Sequence, residues 1–144
     1  MISGEFSTRV YYASQRGYDT HGSAEQHTKL LSELDSAVSA FVADLKAYGK
    51  FNQVVIMTFS EFGRRVKQNG AGGTDHGTAA PMFVIGGKVT PGVLGDHPSL
   101  SDLQGGDLKH NVDFRSVYST VLAKWLNANP EVILQGKYEQ MAFL

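Results

Sequence analysis

The chain contains no cysteine, which excludes disulfides, thiolate metal sites and a cysteine nucleophile together. That absence leaves the compartment open, because a cysteine-free chain folds equally well on either side of a membrane. There is no surplus of positive charge either: 13 Lys and Arg against 14 Asp and Glu leave a formal charge of −1. A broad nucleic-acid footprint, which needs a basic face, is therefore not expected. No apolar run approaches the ~18 residues of a membrane span, and Met1 to Glu5 has neither the basic nor the apolar segment of a signal peptide. Neither GxSxG nor GxGxxG occurs, so an α/β-hydrolase elbow and a dinucleotide site both lack support. These absences leave a soluble chain, cytoplasmic as written, without nucleic-acid or membrane partners. Its 144 residues suit a single domain spanning 1–144.

Sixteen glycines divide what is present. Ser7 to Ser14 (STRVYYAS) is a β-branched and aromatic run that predicts a strand. Leu30, Leu34, Ala37, Val38, Phe41, Leu45 and Tyr48 recur at three- and four-residue steps and predict a helix. Gly49 falls at its left-handed cap. Gln53 to Phe59 (QVVIMTF) then reads as a strand buried on both faces. Strand, helix and strand make a βαβ unit with a parallel sheet and a right-handed crossover. Pro81 to Ile85 predicts a further strand, antiparallel to the first two. Phe114 to Leu126 predicts a last helix, capped by Asp113 or Asn111 and closed at Asn129-Pro130. The fold class expected is α/β.

Ligands collect outside the carboxyl ends of parallel strands, and two polar segments leave those ends. Asp19-Thr20-His21 follows the first strand, and Asp75-His76 lies late in the glycine-rich stretch Ser60 to Gly77. Carboxylate with imidazole suits zinc and other first-row divalent ions, so Asp19, His21, Asp75 and His76 are candidate metal ligands. The alternative is turn chemistry, with Asp19 and Asp75 bonding nearby backbone. Ser60 is a candidate donor or nucleophile, or else a cap; Glu61 is a candidate ligand or general base. Arg64 and Arg65 offer an anion contact, or else a solvated face. Asn69 to Gly73 lacks the lysine and hydroxyl of a P-loop and reads as a mobile segment.

The motifs Gly17-Tyr18-Asp19-Thr20-His21, Phe41 to Leu45, Thr58 to Arg65 and Gly73 to Gly77 occur in that order. With Asp113-Phe114-Arg115, they resemble the domain of unknown function 1501 family, sulfatase-like proteins of the alkaline phosphatase superfamily. The resemblance implies an alkaline-phosphatase-like C-terminal half whose α/β sheet carries metals that hydrolyse phosphate or sulfate esters. Asp19 and His21 resemble ligands of the first metal, and His76, with Asp75 beside it, resembles the late histidine. Ser60-Glu61 stands where the superfamily has an Asp-His pair, a departure at the second metal. The superfamily's nucleophile lies on an earlier strand with no counterpart here, so the chain resembles a domain truncated of its N-terminal half. Family members are often exported to the periplasm.

The function expected is metal-dependent hydrolysis of a small-molecule ester by metal-activated water. Phosphate and sulfate esters follow from the resemblance, and a carboxylic ester or lactone is equally open to that chemistry. Glu61 would serve as base, Arg64 as anion or oxyanion contact, and zinc as the ion, with calcium or manganese as alternatives. Two other readings stand beside this one. The first is a non-catalytic metal-binding or interaction module, homodimeric through an exposed sheet edge; the second is a serine hydrolase using Ser60 with His76 or His21.

Overall fold

The computed structural model of the chain describes residues 4, 7–22 and 25–144. Helix α1, Glu25–Ala47, forms where the apolar periodicity places it, but it turns a narrower stripe inward than that periodicity suggests. Leu30 and Leu45 are buried, Leu34, Val38 and Val42 are half-buried, and Phe41 and Tyr48 stay exposed. Gly49 closes the helix with φ +64°. The amides of Gly49 and Lys50 donate to the carbonyls of Lys46 and Leu45, the paired bonds of a Schellman motif.

A turn of 3-10 helix over Phe51–Gln53 leads into strand β1, Val55–Met57. Strand β2 (Gly63–Gln68) and strand β3 (Thr74–Gly77) form a hairpin. Strand β4, Val84–Gly86, returns antiparallel to β1 with Ile56 opposite Ile85, the direction expected for the Pro81 strand. Strands β5 (Leu103–Gln104) and β6 (Asp107–Leu108) make a minimal hairpin. Gly105 and Gly106 carry the two positive φ values its turn requires.

The parallel sheet and βαβ unit expected from the sequence are not formed: among the described residues, every sheet is two-stranded and antiparallel. Residues 7–14 belong to no helix or strand and are exposed throughout. A β-branched run becomes a strand only when a ladder partner covers it. Here the Tyr12 ring lies 6.0 Å from the Phe59 ring, and Arg9 donates to the Leu126 carbonyl at 2.6 Å. The glycine-rich stretch is corrected as well. Asn69 to Gly73 is a tight hairpin turn: the Asn69 amide donates to Gly73 O, the Gly72 amide to Asn69 O, and Gly72 has φ +82°.

Helix α2, Phe114–Thr120, is capped by Asp113, whose carboxylate accepts from the Arg115 amide. Asn111, the other candidate cap, donates to the Asp96 carbonyl instead. A π turn over Val121–Trp125 continues the helix, which ends before Asn127 at φ 51°. Asn129 and Pro130 do not close it; they open helix α3, Pro130–Leu134, as N-cap and first residue. Val117, Ser119, Thr120 and Phe143 form the buried centre of this region. Thr120 is wholly enclosed; its hydroxyl donates to Ser116 O at 2.7 Å and accepts from the Met141 amide at 2.8 Å.

The accessible surface is 10355 Å². A folded monomer of 15.6 kDa exposes about 7,250 Å² by the usual size scaling. Several large apolar side chains are left uncovered, among them Val10, Tyr12, Leu31, Phe59, Phe83 and Val132. Among the described residues, no helix is long and apolar enough to cross a membrane.

Candidate metal centre

The β2–β3 hairpin is the platform of the site. In its register Arg64 faces His76 and Gly63 faces Gly77. Side chains alternate along a strand, so His76 and Asp75 project from opposite faces of β3. Phe62, two residues before Arg64, lies flat on the His76 ring at 3.7 Å between centroids and 3° between planes. The Arg64 guanidinium sits 5.2 Å from the Phe62 ring centroid.

The turn at residues 17–22 lies against this platform. Asp19 Oδ1 is 2.8 Å from His76 Nε2 and 3.6 Å from His21 Nδ1, and the two imidazole centroids are 4.8 Å apart. One ligand atom from each of Asp19, His21 and His76 lies within 4.8 Å of the others. The Asp19 side chain is 68% exposed, His21 53% and His76 40%. The cluster therefore opens to solvent on a shallow face, rather than lying in an enclosed cavity.

Both sides of the turn are held through its backbone. From α1, His27 Nε2 lies 2.8 Å from Thr20 Oγ1 and 3.2 Å from Tyr18 O, and Gln26 Nε2 donates to Gly17 O at 3.2 Å. From the hairpin, Arg64 Nη2 donates to Tyr18 O, and Asn69 Nδ2 donates to His21 O at 3.0 Å. Burial lifts the Tyr18 phenol above its ordinary pKa, and the charge of Glu33 adds to the effect. Its hydroxyl donates to Gln15 Oε1 at 2.8 Å.

Of the residues picked out by sequence, Asp19, His21 and His76 come together. Asp75 does not join them among the described residues: it turns to the other face of β3 and accepts from Asn69 Nδ2 at 3.1 Å. Glu61 is exposed and outside the cluster. Ser60 Oγ donates to the Phe62 carbonyl at 2.8 Å, a local turn bond. Arg64 Nη1 donates to Thr74 O at 2.7 Å, so two of the guanidinium's donors serve backbone carbonyls. Sequence reasoning gives Phe62 no role of its own and reads Asn69 only as the start of a mobile segment. Both were readable: Asn followed by Gly signals a hairpin, and a hairpin at 69–73 pairs β2 with β3 and carries Phe62 toward His76.

A second carboxylate braces the platform from below. Asp107 Oδ2 accepts from the Thr78 amide at 2.9 Å and the Thr78 hydroxyl at 2.8 Å, and Oδ1 accepts from the Leu108 amide. Burial alone would raise its pKa. Those bonds, with the charge of Arg65, outweigh burial and hold it below the ordinary carboxylate value.

Fold and site together define a mixed helix-and-strand chain with an exposed Asp-His-His cluster on a two-stranded platform. The chain belongs to the family described as "Protein of unknown function (DUF1501)", whose profile matches residues 5–137. No curated protein and no solved structure matches it.

Proposed function

We propose that Asp19, His21 and His76 hold a divalent metal ion and that the protein hydrolyses an ester of a small molecule. The observation that carries this reading is the convergence of three ligand-type atoms from positions as much as 57 residues apart. Zinc–ligand bonds of about 2.0–2.1 Å place tetrahedral donors roughly 3.3 Å apart. Around Asp19 Oδ1 the separations are 2.8 Å to His76, a direct hydrogen bond, and 3.6 Å to His21, and all three donor atoms lie within 4.8 Å, a spread that small side-chain rotations would bring to that spacing. Three protein donors with an open side are the pattern of catalytic rather than structural zinc. Two imidazoles favour zinc over calcium or manganese. The sulfatase-like, alkaline-phosphatase-superfamily resemblance of the motifs favours phosphate or sulfate esters as substrates, with carboxylic esters and lactones as the further class to screen.

A divalent ion bound there supplies Lewis acidity toward an ester oxygen and lowers the pKa of water. The chain's own residues orient the site. Asp19 bridges the two imidazoles, and Phe62 fixes the plane of the His76 ring. Glu61, exposed and next to Phe62, is the general-base candidate. A Ser60 nucleophile is not favoured, because its hydroxyl is engaged by the Phe62 carbonyl and no histidine bonds it.

The test is metal content by plasma mass spectrometry on untagged protein, followed by a screen of phosphate, sulfate, carboxylic ester and lactone substrates. About one equivalent of metal is expected, lost in Asp19→Ala and in His76→Ala. No metal bound on purification, and none acquired from zinc, manganese or calcium, overturns the reading. A second reading, a non-catalytic interaction module, is favoured by the uncovered apolar surface. Its occupant would be a second copy laid on the open edge of β1 and the Val10–Tyr12 run.

A further inference from the structure

The geometry points to Arg64 and Asn69 as positioning residues, which clamp the Asp19–His21 turn to the β2–β3 hairpin and so set the Asp19–His76 distance. This inference rests on the metal-site reading above. Asp19 and His21 are exposed side chains on a turn, and exposure gives them little packing to fix their place. Their positions follow from the backbone on either side. Tyr18 O, one residue before Asp19, is held by Arg64 Nη2, and His21 O is held by Asn69 Nδ2 at 3.0 Å.

Arg64 acts on both halves of the site at once. Its Cα stands opposite His76 in the ladder, its Nη1 donates to Thr74 O two residues before His76, and its Nη2 reaches the turn. One planar fork thus spans the strand bearing His76 and the turn bearing Asp19. A lysine, with a single point donor, cannot match that span.

Asn69 does the same from the hairpin tip. Its Oδ1 accepts from the amides of Ala71 at 3.0 Å and Gly73 at 3.1 Å, which makes the turn. Its Nδ2 donates outward to His21 O and to Asp75 Oδ1. A carboxylate accepts and never donates when ionised, so Asp75 fixes which way the Asn69 amide faces. The Asp75-His76 pair then divides its labour: His76 is a ligand, and Asp75 orients the clamp.

Asn69→Asp keeps an oxygen for the turn amides and removes the donor to His21 O. Arg64→Gln removes the fork, and Arg64→Lys keeps the charge. Two readouts are taken on each folded variant: zinc affinity by competition titration, and the metal-free nuclear Overhauser contact between the His21 and His76 rings. We expect Asn69→Asp and Arg64→Gln to lose that contact and at least tenfold in zinc affinity, the scale of outer-partner loss at metal sites. Arg64→Lys should fall between them and the wild type. Variants that keep the ring contact and bind zinc within twofold of wild type overturn the clamp. Failure of the wild type to bind zinc overturns the metal reading, and the ring contact still decides the clamp. If Asn69→Asp does not fold, the Arg64 pair decides it.

Discussion

Gly73 gives the sharpest test of how the site is built. It lies where the hairpin crosses the Asp19–His21 turn, with Gly22 O standing where a β-carbon would go. A β-carbon added there would stand 2.7 Å from His21 O and 2.8 Å from the Gly22 carbonyl carbon, with Gly22 O nearer still. Real β-carbon contacts stop near 3.0 Å, so His21 O must retreat by at least 0.3 Å, the difference between 3.0 and 2.7, and by 0.7 Å to reach ordinary contact at 3.4 Å. The obstacles are backbone atoms, which cannot swing aside as a side-chain tip can. Metal–ligand distances tolerate about 0.2 Å, so a shift of that size separates His21 and Asp19 from a position shared with His76.

Gly73→Ala should therefore bind zinc at least tenfold more weakly than wild type. Gly70→Ala is the matched control, three residues away in the same hairpin tip. It has open space at the β-carbon and no left-handed backbone. Gly70→Ala should bind zinc like wild type and melt at the same temperature or above, because alanine narrows the unfolded ensemble by about 0.4–1 kcal/mol. Zinc competition titration and thermal unfolding of the pair make the assay. Equal zinc affinity in the two variants would refute the argument that backbone contact at Gly73 positions the ligands.

Three further outcomes are expected. Light scattering at micromolar concentration should give twice the 15.6 kDa chain mass, since the open edge of β1 and the exposed Val10 and Tyr12 side chains offer a second copy a place to pair; a monomeric mass counts against self-association. Thr120→Val should cost about 1–3 kcal/mol in urea unfolding, because it removes from the wholly buried position 120 the acceptor of the Met141 amide at nearly constant shape, and a change below about 0.3 kcal/mol would contradict it. Asp107 and Asp113 are both held below the ordinary carboxylate pKa. Asp107 is held there by its bonds from Thr78 and Leu108 with Arg65, against burial; Asp113 chiefly by the Arg115 guanidinium. A depressed carboxylate stabilises the fold above its unfolded pKa and loses that contribution as pH falls through the folded value. Stability should therefore decline below about pH 4, and the decline should be shallower in Asp107→Asn.

The sequence disclosed the groups that act through their own side chains and concealed those that act through backbone. The periodicity from Leu30 to Leu45, the Gly49 cap and the Asp113 cap are local, and each is found where expected. The strand at residues 7–14 fails for the opposite reason. Its composition suits a ladder, but a ladder needs a neighbour, and among the described residues none pairs with it. The same division runs through the site. Asp19, His21 and His76 are legible as candidates because carboxylates and imidazoles suit metal chemistry by type, and the structure brings the three together. Arg64 is a charged group, which invites an anion reading. Its observed partners are the carbonyls of Thr74 and Tyr18, which every sequence contains at every position. Gly73 is silent in the same way, because what it contributes is the absence of an atom beside Gly22 O. The type of a candidate ligand is thus a one-dimensional property, whereas the proposed control of the Asp19–His76 spacing runs through carbonyl contacts that appear only once the hairpin is folded.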